Sequence, residues 1–259
     1  MEFSNRYIVL FTIVVSLVCA FGVSSMAVAL KEPQSINREL DRKANVLRVA
    51  GLLPAGEKLT KERSDELFKD IVEKVIDRAT GEVLTGVDPR SVNPFPDSKD
   101  PSKSEPVPSA YRLTQVSGLP NRLLVYEVNA PGHECLILPI WGNGLWSTLF
   151  GYLAVAKDAS RTLGITYYQH AETPGLGGEV DSVGFKKQFS DGKQLYDDAG
   201  RPMIAVVKAG TSVDDKKHFQ VDGLSGATIT GNGVHFMLQL WLSEHGYGKY
   251  LQARRPNGT

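Results

Sequence analysis

The sequence predicts an α+β fold: a single N-terminal transmembrane helix followed by a domain with a mostly antiparallel sheet and flanking helices. Three observations carry this. An uncharged apolar run lies near the N-terminus, a succession of short β-type segments occupies the middle, and one amphipathic helix comes late. A length of 259 residues leaves room for one or two domains with a real core. The chain divides into a short tail at 1–6, a transmembrane anchor at 7–30, a helical stalk or packing segment at 31–80, and the main domain at 81–259.

The anchor comes first. No charged residue occurs from Tyr7 to Leu30, and Arg6 and Lys31 close the run. At about 1.5 Å per residue, such a helix covers the ~30 Å hydrocarbon core of a bilayer. A cleaved signal peptide is the competing reading, because Ala27-Val28-Ala29 has a small-x-small pattern. The run exceeds the ~7–15 apolar residues of a secretory segment and continues up to that site, which favours the anchor. Arg6 and the α-amino group flank it on one side, with Lys31, Arg38, Arg42 and Lys43 on the other. By the positive-inside count, the main domain would face the cytoplasm.

Helical spacing continues beyond the anchor. Leu40, Ala44, Leu47 and Ala50 share one face from Arg38 to Ala50, and Gly51 and Pro54 supply a stop. Leu67, Phe68, Ile71, Val72, Val75 and Ile76 read as the stripe of a second helix. Ser91 to Ser109 is rich in Pro, Ser, Asp and Lys and reads as a loop or an insertion. Strands are expected at Leu123–Val128, Glu134–Ile140, Phe150–Ala156, Ile165–Gln169 and Ile204–Lys208, separated by turns such as Pro131-Gly132, Asn143-Gly144 and Asp191-Gly192. The last helix carries Val234, Met237, Leu238 and Trp241, with Gly246 where a C-terminal cap is expected.

Composition excludes several functions. The formal net charge is +0, which argues against nucleic acid as a partner, since that needs a basic patch. Cys19 and Cys135 belong to no C-x-x-C pair and read as two buried thiols. His133, His170, His218, His235 and His245 lack metal-ligand spacing, so no metal site is expected. No G-x-G-x-x-G for a dinucleotide is present.

Chemistry concentrates just before the last helix, in Asp222-Gly223-Leu224-Ser225-Gly226-Ala227-Thr228-Ile229-Thr230-Gly231-Asn232. A helix start offers unpaired backbone N–H groups and the positive end of the macrodipole, so a phosphate would be stabilised there. Physics alone leaves a bland alternative: Thr228 or Thr230 is an N-cap, the glycines make a turn, and nothing binds. A nucleophile elbow at Ser225 is a third reading. Its G-x-S-x-G pattern is broken at Ala227, and its partners Glu244 and His245 fall at the far end of the helix.

Asp222 to Thr228 resembles the flavinylation motif of proteins that hold FMN through a phosphoester to threonine. The surrounding sequence resembles the NqrC family, flavin-carrying components of the sodium-translocating NADH:quinone reductases. The likeness covers essentially the whole chain, including Leu40-Asp41-Arg42-Lys43-Ala44-Asn45-Val46-Leu47, Trp141-Gly142-x-Gly144-Leu145-Trp146-Ser147 and Glu172-Thr173-Pro174-Gly175-Leu176-Gly177. RnfG-type subunits of ion-translocating ferredoxin complexes share the motif and are the nearest confusable family.

The resemblance implies a covalent FMN on Thr228, with Ser225, Gly226 and Ala227 completing the S-G-A-T core and the main domain serving as an FMN-binding domain. Thr230 is a weaker alternative attachment point. Asp222 corresponds to the acidic residue needed by a separate flavin transferase, and Trp146, Thr173, Gly175 and Leu176 are the candidates to hold the ring. The implied role is electron transfer within a multi-subunit membrane complex, whose partner subunits handle NADH, sodium and quinone. No independent catalytic site is expected in this chain. The implied location is the bacterial inner membrane with the soluble domain on the periplasmic side, against the charge count. An unmodified, membrane-tethered binding or assembly module is the non-redox alternative.

Overall fold

A computed structural model describes residues 4–54 and 56–255; residues 1–3 of the expected tail lie outside it. The chain divides into two compact units, Met1–Arg42 and Lys43–Thr259.

The described part of the first unit is helical. Helix α1 (Asn5–Val49) runs on into the second unit, with Pro33 inside it. The expected anchor and the expected helix at Arg38–Ala50 are therefore one element. Its apolar stretch has a mean hydropathy of 2.4 and no buried residues, which makes it long and apolar enough to cross a membrane. Cys19 is exposed on this stretch, so only Cys135 is a buried thiol. The predicted stop holds. Gly51 has φ +74°, its amide donates to Arg48 O, and the Leu52 amide donates to Leu47 O. This is the paired C-terminal capping arrangement that a glycine in the left-handed region permits.

In the second unit, α2 (Lys61–Leu67) starts at Thr60, whose side chain accepts from the Arg63 amide. A 3-10 turn follows at Phe68–Asp70, and then strand β1 (Ile71–Asp77). The stripe from Leu67 to Ile76 is thus not one helix, and the helical segment expected over 31–80 ends in a sheet strand. Ile71, Val72, Val75 and Ile76 are β-branched and pack well on a pleated surface, and a short apolar run does not fix its own period.

The order continues with α3 (Pro94–Asp97), β2 (Ser104–Glu105), β3 (Leu119–Pro120), β4 (Arg122–Val128), β5 (Cys135–Asn143), β6 (Thr148–Val155), β7 (Thr162–Gln169), α4 (Val183–Ser190), β8 (Ala205–Val207), β9 (Gln220–Asp222), α5 (Thr228–Leu242) and α6 (Gly248–Gln252). The segment expected as a loop or an insertion at Ser91–Ser109 contains α3 and β2. Five strands form one sheet in the order β1-β4-β5-β6-β7, every pair antiparallel. The strand expected at Ile204–Lys208 exists as β8, but it pairs in parallel with β9 in a separate ribbon.

Both faces of the large sheet are covered, which explains the near-continuous apolar text of its central strands. Leu123, Val125, Leu136 and Leu138 face one cluster with Val234, Met237, Leu238 and Trp241 of α5. Their neighbours Tyr126, Val128, Cys135 and Ile137 face the opposite cluster with Ala44, Val46 and Leu47 at the end of α1. The Trp241 indole N–H donates to Trp141 O at 2.6 Å, fixing α5 on β5. Gly233 lets this helix come close, because a Cβ there would collide with the Asn143 carbonyl. The start of α5 therefore sits over the β5–β6 turn. Gly246 is not the left-handed cap expected: Ser243 closes α5 with φ −73° and ψ 173°. Gly246 is required instead because a Cβ would run into the Trp241 backbone.

Candidate functional site

Three chain segments meet at the start of α5. The first is the β5–β6 turn, closed by the Gly144 amide donating to Ser147 O at 2.8 Å. The second follows β7, where the amides of Leu176 and Gly178 both donate to Thr173 O. The third is the β9–α5 connection, in which Gly226 adopts φ +73°, a region costly for any residue with a Cβ. Ala227 occupies the N-cap position of α5 and makes no side-chain cap. Neither Thr228 nor Thr230 caps the helix, against the expected N-cap. The first backbone N–H groups of a helix have no intrahelical partner, and Thr228, Ile229 and Thr230, which open α5, are among the residues that line a cleft.

That cleft has a volume of ≈ 230 Å³. Of the residues singled out from sequence, Trp146, Thr173, Leu176, Gly226, Ala227 and Thr228 line it, joined by Thr230. Ser225 and Gly175 lie outside the lining, although they belong to the turns that build it. Asp222 also stands away from it, on β9. Its carboxylate accepts from the Gly210 amide at 3.3 Å, while the Gln188 side chain bonds both its backbone N–H and its carbonyl.

Exposure separates the two threonines. Thr228 is exposed, whereas Thr230 is 1% exposed and donates to Glu172 Oε2 at 2.7 Å. Trp146 is 71% exposed, so it is not the core aromatic that its sequence equally allowed; Trp141 and Trp241 fill that role. Leu145, Leu176 and Ile229 are exposed as well, giving the cleft an apolar rim.

The residue that joins the three segments is Glu172, which is buried. Its Oε1 accepts from the amides of Trp146 (2.9 Å) and Ser147 (3.0 Å) and from the Ser147 hydroxyl (3.1 Å). Its Oε2 accepts from the Leu145 amide (3.2 Å) and the Thr230 hydroxyl. Burial pushes the carboxyl pKa up, but the Thr230 bond and the three amides outweigh it and hold it below the usual glutamate value. Gly144 and Gly177 make room for this carboxylate. A Cβ on Gly144 would lie 2.7 Å from Oε1, and one on Gly177 would lie 2.5 Å from Oε2. Sequence reasoning placed Glu172 in a ring-holding turn without giving it a role. The signal was there, in a carboxylate opening a glycine-rich turn, but its donors are 25 to 58 residues away.

The arrangement does not support nucleophilic catalysis. Ser225 precedes α5, while Glu244 and His245 follow it, at a separation of roughly 20 Å along a helix of this length.

An exposed hydroxyl thus stands at a helix start with no side-chain cap, beside an apolar rim. The family model described as FMN-binding domain matches residues 144–243; the match opens at the Gly144 turn and closes just after α5. Relatives extend over nearly the whole chain. The NqrC component of the Na(+)-translocating NADH-quinone reductase of Pseudomonas aeruginosa is 39% identical, covering 96% of this chain and 95% of its own. Its counterpart in Vibrio vulnificus (strain YJ016) is 38% identical, covering 94% and 92%. The crystal structure of Shewanella oneidensis NqrC matches with a TM-score of 0.70 at 28% identity, covering 83% of this chain and 96% of that one. The crystal structure of the Parabacteroides distasonis counterpart gives 0.66 at 27%, covering 86% and 96%. The chain belongs to the NqrC family, components of the Na+-translocating NADH-quinone reductases.

Proposed function

We propose that this chain is a membrane-anchored electron-transfer subunit that carries FMN through a phosphoester to Thr228. The observation that carries the reading is the contrast between Thr228, exposed on the lip of the cleft, and Thr230, whose hydroxyl is buried against Glu172. Thr228 is therefore open to a transferase, and Thr230 is not. The uncapped amides at the start of α5 suit the phosphate, and the helix dipole adds to them. Trp146 and Leu176 offer exposed apolar surface for the ring on opposite segments of the cleft. Once attached, the flavin supplies one- and two-electron chemistry. This chain's residues anchor it, hold its ring and shield it on one side.

Asp222 lies outside the cleft, which suits a part in recognition by the flavin transferase better than a part in electron transfer. Within the complex, NADH, sodium and quinone belong to partner subunits. Helix α1 serves as the single-pass anchor, with the domain on the periplasmic side of a bacterial inner membrane. Anchoring is supported by its length and hydropathy, and the side by the family resemblance.

The test is co-expression with the flavin transferase, followed by denaturing electrophoresis and intact mass. The parent chain is expected to fluoresce on the gel and to weigh more by FMN less one water. Thr228→Ala is expected to lose both signals. Flavin retained on that variant would refute the assignment. Thiol labelling of single cysteines placed after α1, in intact spheroplasts, tests the side.

A further inference from the structure

We infer that Glu172 is the positioning residue of the flavin cleft: its carboxylate ties the Leu145–Ser147 turn to the first turn of α5 and so fixes Trp146 and Thr228 as the two lips of one site. This rests on the reading of Thr228 as the attachment point, and it adds a residue which that reading does not require.

Three features carry it. All the partners of the Glu172 carboxylate are donors: the amides of Leu145, Trp146 and Ser147, and the hydroxyls of Ser147 and Thr230. A site made only of donors is built for a carboxylate, because an amide or a protonated acid would turn a hydrogen against one of them. The Ser147 hydroxyl is also oriented. The Ala171 amide donates to Ser147 Oγ at 2.8 Å, so Ser147 is left to donate onward to Glu172. Finally, the two glycines at 144 and 177 face the carboxylate so closely that a Cβ on either would displace it.

The consequence reaches the flavin in two ways. The three bonded amides belong to the turn that carries Trp146, and the bonded hydroxyl lies two residues from Thr228, so both lips take their position from one side chain. Glu172 also lines the cleft itself, which places a fixed negative charge beside the bound group. A negative charge disfavours adding electrons to a nearby acceptor. Removing it is expected to raise the flavin midpoint potential.

The experiment uses full-length protein in detergent, with Glu172→Gln, Glu172→Asp and Thr230→Val beside the parent. In protein made without the transferase, hydrogen exchange is read at the amides of Leu145, Trp146 and Ser147 and in β5 and β6. Glu172→Gln is expected to speed exchange of the three turn amides at least tenfold and leave the strands protected. Turn amides as protected as in the parent would overturn the positioning role. In flavinylated protein, the midpoint potential is expected to rise in Glu172→Gln and to stay near the parent value in Glu172→Asp and Thr230→Val, which keep the charge. An unchanged potential in Glu172→Gln would overturn the electrostatic part. If Glu172→Gln fails to fold, Thr230→Val and Glu172→Asp decide the positioning part by the same exchange readout, and Glu172→Ala, which also lacks the charge, takes its place in the potential measurement, with an unchanged potential again overturning the electrostatic part. Intact mass of the parent beside Thr228→Ala reports separately on Thr228, so loss of that assignment is distinguished from loss of this one.

Discussion

Thr230→Val separates the structural hydroxyl of the motif from the one proposed to be chemical. Valine keeps the branched shape but cannot donate to Glu172, whose Oε2 now receives that bond at 2.7 Å in a site where Thr230 is 1% exposed. Hydrogen bonds to charged groups contribute roughly 1.5–3 kcal/mol. A change of 1 kcal/mol moves the melting temperature of a domain of this size by roughly 2–4 °C. The expected loss is therefore about 3–12 °C, read by near-ultraviolet circular dichroism of the full-length protein in detergent. Covalent flavin is expected to remain at parental stoichiometry by intact mass. Thr228→Ala should behave in the opposite way, since an exposed first-turn residue changes stability by no more than ~0.5 kcal/mol, yet the flavin is lost. A Thr230→Val protein that melts with the parent and lacks flavin would refute the division of labour between the two hydroxyls.

Other outcomes follow from the same geometry. Gly233→Ala forces a Cβ into the Asn143 carbonyl; overpacking of this kind costs about 1–3 kcal/mol, and a denaturant titration should show it without a change in slope. Trp146→Ala removes an exposed side chain, so the melting temperature should hold while the absorption and fluorescence of the attached flavin shift towards those of free flavin. Glu172 has its pKa held below the usual 4.5 because its donors outweigh the opposing effect of burial. Its stabilisation is then complete above about pH 4.5 and is lost as pH falls through the depressed value. The gap in melting temperature between parent and Glu172→Gln should be constant from pH 6 to 8 and close below pH 4.5. A gap that widened on acidification would contradict an ionised Glu172.

The elements with strong periodicity were legible in advance. Helix α5 could be read from Val234, Met237, Leu238 and Trp241, and strands β4 to β7 from their β-branched and aromatic runs between turns. The stretch from Ile71 to Asp77 was not. Its apolar spacing suits a helix stripe as well as a strand, and pairing with β4 from Ile71↔Val128 to Asp77↔Arg122 decides the matter. That pairing spans some fifty residues of sequence, which no local pattern encodes. The change from apolar to charged residues at Lys31 suggests a boundary between anchor and stalk, yet α1 continues past it and past Pro33 as one helix.

By itself the sequence determined the class of fold, an apolar helix able to span a membrane, and the motif from Asp222 to Thr228 with the family it marks. Each of these is local, written in composition, in period or in a short string of residues. Only the tertiary structure decided which threonine is free. Two hydroxyls two residues apart on one helix start share the same local chemistry, and only the motif ranks them; the fold gives them different surroundings. Thr230 turns inward to a carboxylate brought from 58 residues away, and Thr228 stays at the surface beside Trp146 and Leu176. The carboxylate's place, and the cleft it holds together, depend on β5, β7 and α5 converging at one point. Contacts of that range arise only when the sheet has folded and the helix has packed on it.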